Sequence, residues 1–388
     1  MAGALAGTAD SLFIGLPTLI LMASPFHSVP GSSVPALFLV IATVVHAQLP
    51  DPDARNATPL KPRVVTTFSK HDTDDPAIWI NRANPAERLV LGTDKDVDGA
   101  VLVFGLDGRE RVDLSVRGIV RPNNIDIAYD VPFAGGKVDI AVVSERYAQR
   151  LRVYRLPDMA PIDGGGIPVF EGERARDVMG IALYTRPADG AVFAIVSRSD
   201  AGAPREGYLH QYRLVDDGTG TLRGLFSRSF GTWSGQKEIE AIAVDQELGF
   251  IYYSDETAGI RKYLADPAAE DAEDELAFFG TTGFAEDHEG ISIYPTAPGK
   301  GYLLVSNQQA NTFRIFPREG TAANPHDHPL ISSVRTSALD SDGSDVTRVA
   351  LPGFPGGLFV AMSTDKTFHF YAWDDLAAAA GLPAAPDP

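Results

Sequence analysis

Residues 71–79 read HDTDDPAIW and place Asp72, Asp74 and Asp75 within four positions. Carboxylates this close repel each other, and a chain can keep them ionised together only if something positive offsets the charge. Similar groups recur along the sequence: NNID at 123–126, EIE at 238–240, SDE at 254–256, DHEG at 287–290 and DSDG at 340–343. Oxygen donors in such numbers suit a hard divalent cation. Calcium takes six to eight oxygens in flexible geometry, whereas magnesium demands a tight octahedron. The chain has no cysteine and only eight histidines, few of them in these groups, so zinc or copper fits worse. The competing reading is that each acid makes a turn or caps a strand.

The bulk properties narrow the class. The 388 residues allow two domains or one large all-β unit. A hydrophobic content of 44% supports a large core, and apolar runs break up the charged 22%, so the body is not disordered. The net charge of −18 argues against nucleic acid, whose binding comes from Lys and Arg neutralising phosphates. Without cysteine there are no disulfides and no thiol nucleophiles.

The acids belong to a repeat. An apolar strand, a Ser/Thr with polar residues and a second, aromatic-rich strand recur from Leu89, Ile140, Phe193, Phe250, Tyr302 and Leu358, at intervals of roughly 50 to 57 residues. A further strand precedes each copy: PAIWIN, NIDIAYD, GIALYT, AIAVD, GISIY and DVTRVA. Each unit thus has three strands and room for a fourth. Four antiparallel strands repeated radially make a propeller blade, so the pattern predicts an all-β, six-bladed β-propeller with four-stranded blades.

Topology then gathers the polar residues. The first strand of a blade runs one way and the second runs back, so the start of one and the end of the other share a face. Starts carry Asp72, Asp74, Asp75, Asn123, Asn124, Asp126, Asp177, Glu238, Glu240, Asp287, Glu289, Asp340, Asp342 and Asp345. Ends carry Asp94, Lys95, Glu145, Arg146, Arg198, Asp200, Asp255, Glu256, Asn307, Gln308 and Asp365. One rim of the disc is therefore expected to be polar and mostly acidic.

HDTDDPAIW, NNIDIAYD, KEIEAIAVDQELGFIYYSDE, DHEGISIYPTAPGKGYLLVSNQQ and DSDGSDV, in this order, resemble the β-propeller phytases over roughly residues 66–375. The resemblance implies a secreted, six-bladed, calcium-dependent enzyme that releases phosphate from myo-inositol hexakisphosphate (phytate), preferably as its calcium salt. It implies several calcium ions, with ligands at Asp74, Asp75, Glu240, Glu256, Glu289 and Asp342. It places phosphate-binding groups at Lys95 and Arg146. The pattern has departures: Met179 replaces a tyrosine, and a phosphate-site lysine falls at Ser199, with Arg198 beside it as a stand-in. The segment before DSDG is shortened, and the last-blade loop is only Ser363 to Lys366, so fewer structural calcium ions are expected.

Charge suggests how such a rim would work. Phytate is a polyanion and would be repelled by the acids alone, but bound cations invert the local field. Calcium held by Asp74, Asp75, Glu240, Glu256 and Glu289 would polarise a phosphoryl group and lower the pKa of an attacking water. Lys95 and Arg146 would offset the charge developing on phosphoryl oxygens. Lys95, Arg146, Glu240 and Glu256 are the expected catalytic set, and Lys95, Arg146 and Arg198 the expected substrate contacts. Two other classes compete. A calcium-dependent lactonase propeller would need one deep axial metal and an apolar pocket, and a non-catalytic binding propeller would not need basic residues among the metal acids. Two local motifs are weaker. Asp94 to Gly99 mimics the start of an EF-hand loop, but position twelve is Gly105. His326-Asp327-His328 reads as a solvated loop.

The N-terminal segment differs from the rest. Residues 1–54 contain no Lys or Arg, and the apolar run Val34 to Val45 ends in Val45-His46-Ala47, a pattern suited to signal peptidase. The expected organisation is a targeting segment over 1–47, an arm over 48–65, the propeller over 66–378 and a tail over 379–388. Processing would leave a secreted or periplasmic monomer with no stable membrane association. An uncleaved anchor is the alternative.

Overall fold

The computed structural model describes residues 54–383, apart from 83, 85, 86, 200 and 201. The targeting segment expected over 1–47 lies outside these residues. The described chain forms six antiparallel sheets arranged as blades. Blade 1 comprises Thr73–Ile80, Arg88–Asp94, Gly99–Phe104 and Val116–Ile119, from the innermost strand outward. Blade 2 comprises Pro122–Phe133, Gly136–Glu145 and Arg150–Leu156, and its outer edge is split between Ala160–Pro161 and Ile167–Pro168. Blade 3 comprises Val178–Thr185, Val192–Arg198, Glu206–Asp216 and Leu222–Thr232. Blade 4 comprises Ile242–Asp245, Phe250–Asp255, Gly259–Leu264 and Ala277–Phe279. Blade 5 comprises His288–Ala297, Lys300–Asn307, Thr312–Pro317 and Ser332–Arg335.

Blade 6 closes the ring. Its inner strands are Ser344–Thr347, Leu358–Ser363 and Thr367–Ala372, and its fourth strand is Val64–Val65 from the other end of the chain. Val64 pairs with Phe370 and Val65 with His369. The amides of Arg63 and Thr66 extend the seam, donating to Phe370 O and Phe368 O at 2.8 and 3.0 Å. The arm expected to end at residue 65 is therefore partly a strand of the propeller. The helix Trp373–Ala379 follows the last strand and buries Trp373, Leu376 and Ala377.

The middle strands read as unbroken apolar runs because both of their faces are buried. In blade 1, Leu89 and Leu91 join a cluster with Ile125, Val143 and Tyr154 of blade 2. Val90, between them, faces the other way into a cluster with Val360, Met362 and Phe370 of blade 6. Four more clusters fill the remaining blade interfaces, so each blade is a wedge between two apolar layers.

The innermost strands line a central cavity of about 570 Å³, walled by residues such as Ile125, Ile181, Ile242 and Ile291. In its wall, Asp126 Oδ2 accepts the Leu183 amide at 2.7 Å and Asp345 Oδ2 accepts the Ile78 amide at 2.7 Å, tying neighbouring blades together. Burial pushes Asp126 up to about 7 and Asp345 to about 6.

Candidate active site

A bulge repeated at the start of the innermost strands sets the site. The register shifts between Thr73 and Pro76, Pro122 and Ile125, Val178 and Ile181, and His288 and Ile291. Each shift leaves two residues facing one on the partner strand, which re-aims a side chain at the end of the sheet. In blades 1 to 3 a shared Ser/Thr opposite the bulge satisfies the freed amide, whereas in blade 5 the Gly290 amide donates to Asp342 O at 2.7 Å. Asp75 donates to Thr93 Oγ1 at 3.0 Å, Asn124 to Ser144 Oγ at 3.0 Å and Gly180 to Ser197 Oγ at 2.8 Å. In blades 3, 4 and 5 the hydroxyl also donates to the next blade: Ser197 to Ile239 O, Ser254 to Glu289 O and Ser306 to Ser341 O. The hydroxyl that marks the sequence repeat thus ties down the bulge in blades 1 and 2, the neighbouring blade in blades 4 and 5, and both in blade 3.

The first residues of the bulges, with their counterparts in blades 4 and 6, are Asp74, Asn123, Met179, Glu240, Glu289 and Asp342. All are buried. A second row follows the ends of the second strands: Lys95, Arg146, Ser199, Glu256, Gln308 and Thr364. Their amides donate to the carbonyls of Asp72, Arg121, Asp177, Glu238, Asp287 and Leu339 in the incoming segments. Residues far apart in sequence therefore meet on one rim.

Contacts within the rim divide it into two sectors. Lys95 Nζ pairs with Asp342 and lies 3.6 Å from Asp74 Oδ1. Asn123 Nδ2 donates to Glu240 Oε1 at 2.9 Å, and Gln308 Nε2 donates to Asp342. Arg146 donates to Ser199 Oγ at 2.7 Å and lies 3.8 Å from Glu238, which accepts from the same hydroxyl. Arg121 donates to Lys95 O at 3.1 Å from a left-handed backbone, φ 57°. Blades 1 and 2 thus contribute Lys95, Arg121 and Arg146. Blades 4 and 5 and the segments leading into them contribute two carboxylate clusters that could each hold a metal ion: Glu238, Glu240 and Glu256, and Glu256, Asp287 and Glu289.

The carboxylates are held under electrostatic load. Burial, then the neighbouring Asp74, raises Glu240 well above the usual carboxylate range. Burial, then Glu256 and Glu240, does the same to Glu289, and burial with Glu238 and Asp287 pushes Glu256 up to about 9. Burial also raises Asp74. Burial would lower Lys95, but Asp74, Asp342 and Glu240 outweigh it and hold its ammonium charged. Both oxygens of Asp74, and Glu256 Oε1, Asp287 Oδ1 and Glu289 Oε2, are buried without a hydrogen-bond partner.

Of the residues expected to act, Asp74, Glu240, Glu256, Glu289, Asp342, Lys95 and Arg146 lie on this rim. Asp75 takes the second bulge position, where its Oδ2 accepts the Ile125 amide at 3.0 Å. Arg198 is a correction. It is fully buried, paired with Glu173 and donating to the carbonyls of Ala175, Gly207 and Tyr208, so four of its five N–H donors are committed inside the protein and none is exposed to a substrate. Several strand-end groups are also structural. Asp94 accepts the amides of His71 and Asp72, Glu145 that of Val120, Asp255 that of Ser234 and Asn307 that of Ala285. Asp94 is thus committed to the incoming segment, while Asp98, its companion in the EF-hand-like loop, pairs with Lys70. His328 is not a solvated loop residue: it is buried, with Nδ1 2.7 Å from Pro317 O.

Sequence reasoning missed Arg121 and Lys237. Lys237 Nζ lies 2.6 Å from Asp287 Oδ2 and 3.9 Å from Glu256 Oε2. Counting back from the bulge would have found both: Arg121 lies two residues before Asn123, and Lys237 three before Glu240.

The model of the phytase family matches residues 38–375. A 3-phytase of Bacillus subtilis (strain 168) is 28% identical over 321 residues, spanning 78% of this chain and 80% of that protein. With its six blades, its bulge-borne acids and a family match across most of its length, the chain belongs to the phytase family.

Proposed function

We propose that the chain is a phosphoric monoester hydrolase that releases phosphate from phytate, with several calcium ions held on the acidic rim. Membership of the phytase family and similarity to a 3-phytase support the substrate. The observation that carries the metal reading is the set of buried carboxylate oxygens without a hydrogen bond on Asp74, Glu256, Asp287 and Glu289, of which Asp74 Oδ1 has the Lys95 ammonium 3.6 Å away. A buried charge without a partner costs several kcal/mol, on the order of 3–5 where one partner of a pair is removed. A hard cation with oxygen ligands would answer that cost, and calcium tolerates the uneven spacing of side chains drawn from separate blades.

Asp74, Glu240, Glu256, Asp287, Glu289 and Asp342 would hold the ions. Bound calcium supplies a Lewis acid for phosphoryl oxygens and a water of lowered pKa. The chain's own residues do the rest. Asn123 fixes the Glu240 carboxylate through its 2.9 Å hydrogen bond. Ser199 and Glu238 orient the Arg146 guanidinium, whose planar donors suit a phosphate. Lys95 brings a permanent positive charge between the acids and the basic sector.

The test is phosphate release from phytate by purified protein in calcium and in chelator, with a lactone as control substrate. Calcium-dependent release from phytate and none from the lactone is the expected result. Equal release in chelator would refute the metal reading, and lactone hydrolysis without phosphate release would refute the substrate.

We infer in addition that the protein is exported, because the apolar run Val34 to Val45 ends in the motif Val45-His46-Ala47, a pattern suited to signal peptidase. N-terminal sequencing of secreted protein should give a start near Gln48. Recovery of residue 1 in a membrane fraction would favour an anchor.

A further inference from the structure

The carboxylates of Glu256, Asp287 and Glu289 lie close enough for one ion, and each residue is more than nine-tenths buried. Each keeps one oxygen without a partner: Glu256 Oε1, Asp287 Oδ1 and Glu289 Oε2. The remaining oxygen of Asp287 is taken. Asp287 Oδ2 accepts Lys237 Nζ at 2.6 Å and Gln309 Nε2 at 2.6 Å, and the same ammonium lies 3.9 Å from Glu256 Oε2. The Lys237 side chain is 49% exposed, in contrast to the acids it touches. A half-exposed ammonium on a four-carbon stem can leave for water, whereas the acids are fixed by their burial.

The geometry points to Lys237 as a tethered counter-ion of this cluster, which competes with calcium for Asp287 and Glu256 and so sets the calcium concentration at which the cluster fills. This inference rests on the calcium reading above. Calcium needs six to eight oxygens and cannot spare those that the ammonium holds. A cation and an ammonium a few ångströms apart also repel, so one must give way. Lys95 stands in a comparable position toward Asp74 and Asp342 but is mostly buried, with a side-chain exposure of 16%, and cannot withdraw to solvent in the same way. Lys237 is the exposed one of the two lysines, and it precedes Glu238, which contacts Arg146. A displaced Lys237 therefore stays on the face where a polyanion would dock.

The experiment is calcium binding by calorimetry, with terbium luminescence as a second readout, on the wild type, Lys237→Met and Lys237→Arg. Met keeps the stem and removes the charge, whereas Arg keeps the charge. Lys237→Met is expected to bind calcium about two- to fivefold more tightly at one site, the scale of removing one partly exposed charge pair. Lys237→Arg should stay close to the wild type. Unchanged or weaker calcium binding in Lys237→Met, with the melting temperature showing a folded protein, would overturn the inference. Absence of calcium binding in the wild type would overturn the calcium reading itself, and is distinguishable because it does not depend on the variants.

Discussion

At the scale of single residues, the rim separates groups that would hold metal from groups that would hold phosphate. Glu240 is buried among Asp74, Asp342 and Glu256, and its carboxyl is pushed up chiefly by burial. Glu240→Gln keeps the shape and removes one negative ligand. Phytate turnover should collapse, and added calcium should restore at most part of it. The same change removes a carboxyl whose ionised form burial disfavours and which the chelated fold must keep protonated, so in chelator the variant should melt above the wild type while gaining less from calcium. Arg146 is not a carboxylate ligand: it bonds to Ser199, and its ion-pair contact with the two clusters is to Glu238, at 3.8 Å. Arg146→Ala should therefore keep its calcium-dependent melting shift and lose rate, by about 10²- to 10³-fold if it contacts developing charge as oxyanion donors do. Calcium titrations of melting temperature and of turnover on both variants check this. Full turnover by Arg146→Ala at low phytate, or a wild-type calcium response in Glu240→Gln, would contradict the assignments. The acids as a set were legible in the sequence, because their types and recurrence announce a cation. Which member of each pair reaches the rim was not. Asp74 and Asp75 differ by one step in a bulge, and Arg198 and Ser199 by one step at a strand end, and one step moves a side chain from rim to interior.

At the scale of elements, the bulge and the ring closure carry the site. Gly180 holds the second bulge position of blade 3, and a Cβ there would lie 1.9 Å from the Glu240 backbone oxygen. Gly180→Ala should destabilise the protein by about 1–3 kcal/mol, the usual cost of forcing atoms into a packed site. It should also weaken calcium binding, because the strain falls on the residue that carries a ligand. Urea unfolding and calorimetry would show both, and an unstrained, fully calcium-responsive variant would mean the bulges do not position the acids. Ring closure gives a second expectation. A chain beginning at Ser69 lacks Val64–Val65 and the bonds from Arg63 and Thr66 to the last blade. It should melt several degrees below one beginning at Gln48, and equal melting would show that three strands suffice for blade 6. The inner and middle strands were legible from their alternation and their apolar runs. The fourth strands were not: some are as short as Ala277–Phe279 and Ile167–Pro168, and the long one of blade 3, Leu222–Thr232, exposes much of its middle. Val64–Val65 could not be seen at all, since two residues at the opposite end of the chain carry no periodicity.

At the scale of the whole molecule, the disc gathers acids from blades 1, 4, 5 and 6 onto one rim while the chain carries a net charge of −18. The fold is therefore expected to respond to pH in opposite senses with and without calcium. In chelator, Glu256 is raised from 4.5 to about 9, chiefly by burial, and Glu240, Glu289 and Asp74 are raised in the same direction. A raised carboxyl holds a proton in the folded state that the unfolded chain has released. Its stabilising contribution is complete below the unfolded value and is lost as pH rises through the folded one. The chelated protein should thus melt at falling temperature from about pH 5 to pH 9. Calcium binds only the ionised carboxylates, so its affinity, and the stability it adds, grow over the same interval. At a free concentration of 100 times Kd one bound ion adds about 2.7 kcal/mol, which for a propeller of this size corresponds to roughly 4 °C or more. The two melting curves should meet near pH 4.5, the ordinary value for Glu, and separate steadily toward pH 9. Scanning calorimetry across that range, in excess calcium and in chelator, measures the gap directly. A gap of constant width would mean that calcium stabilises the protein through groups that do not titrate here, and the buried rim acids would lose their role as its ligands.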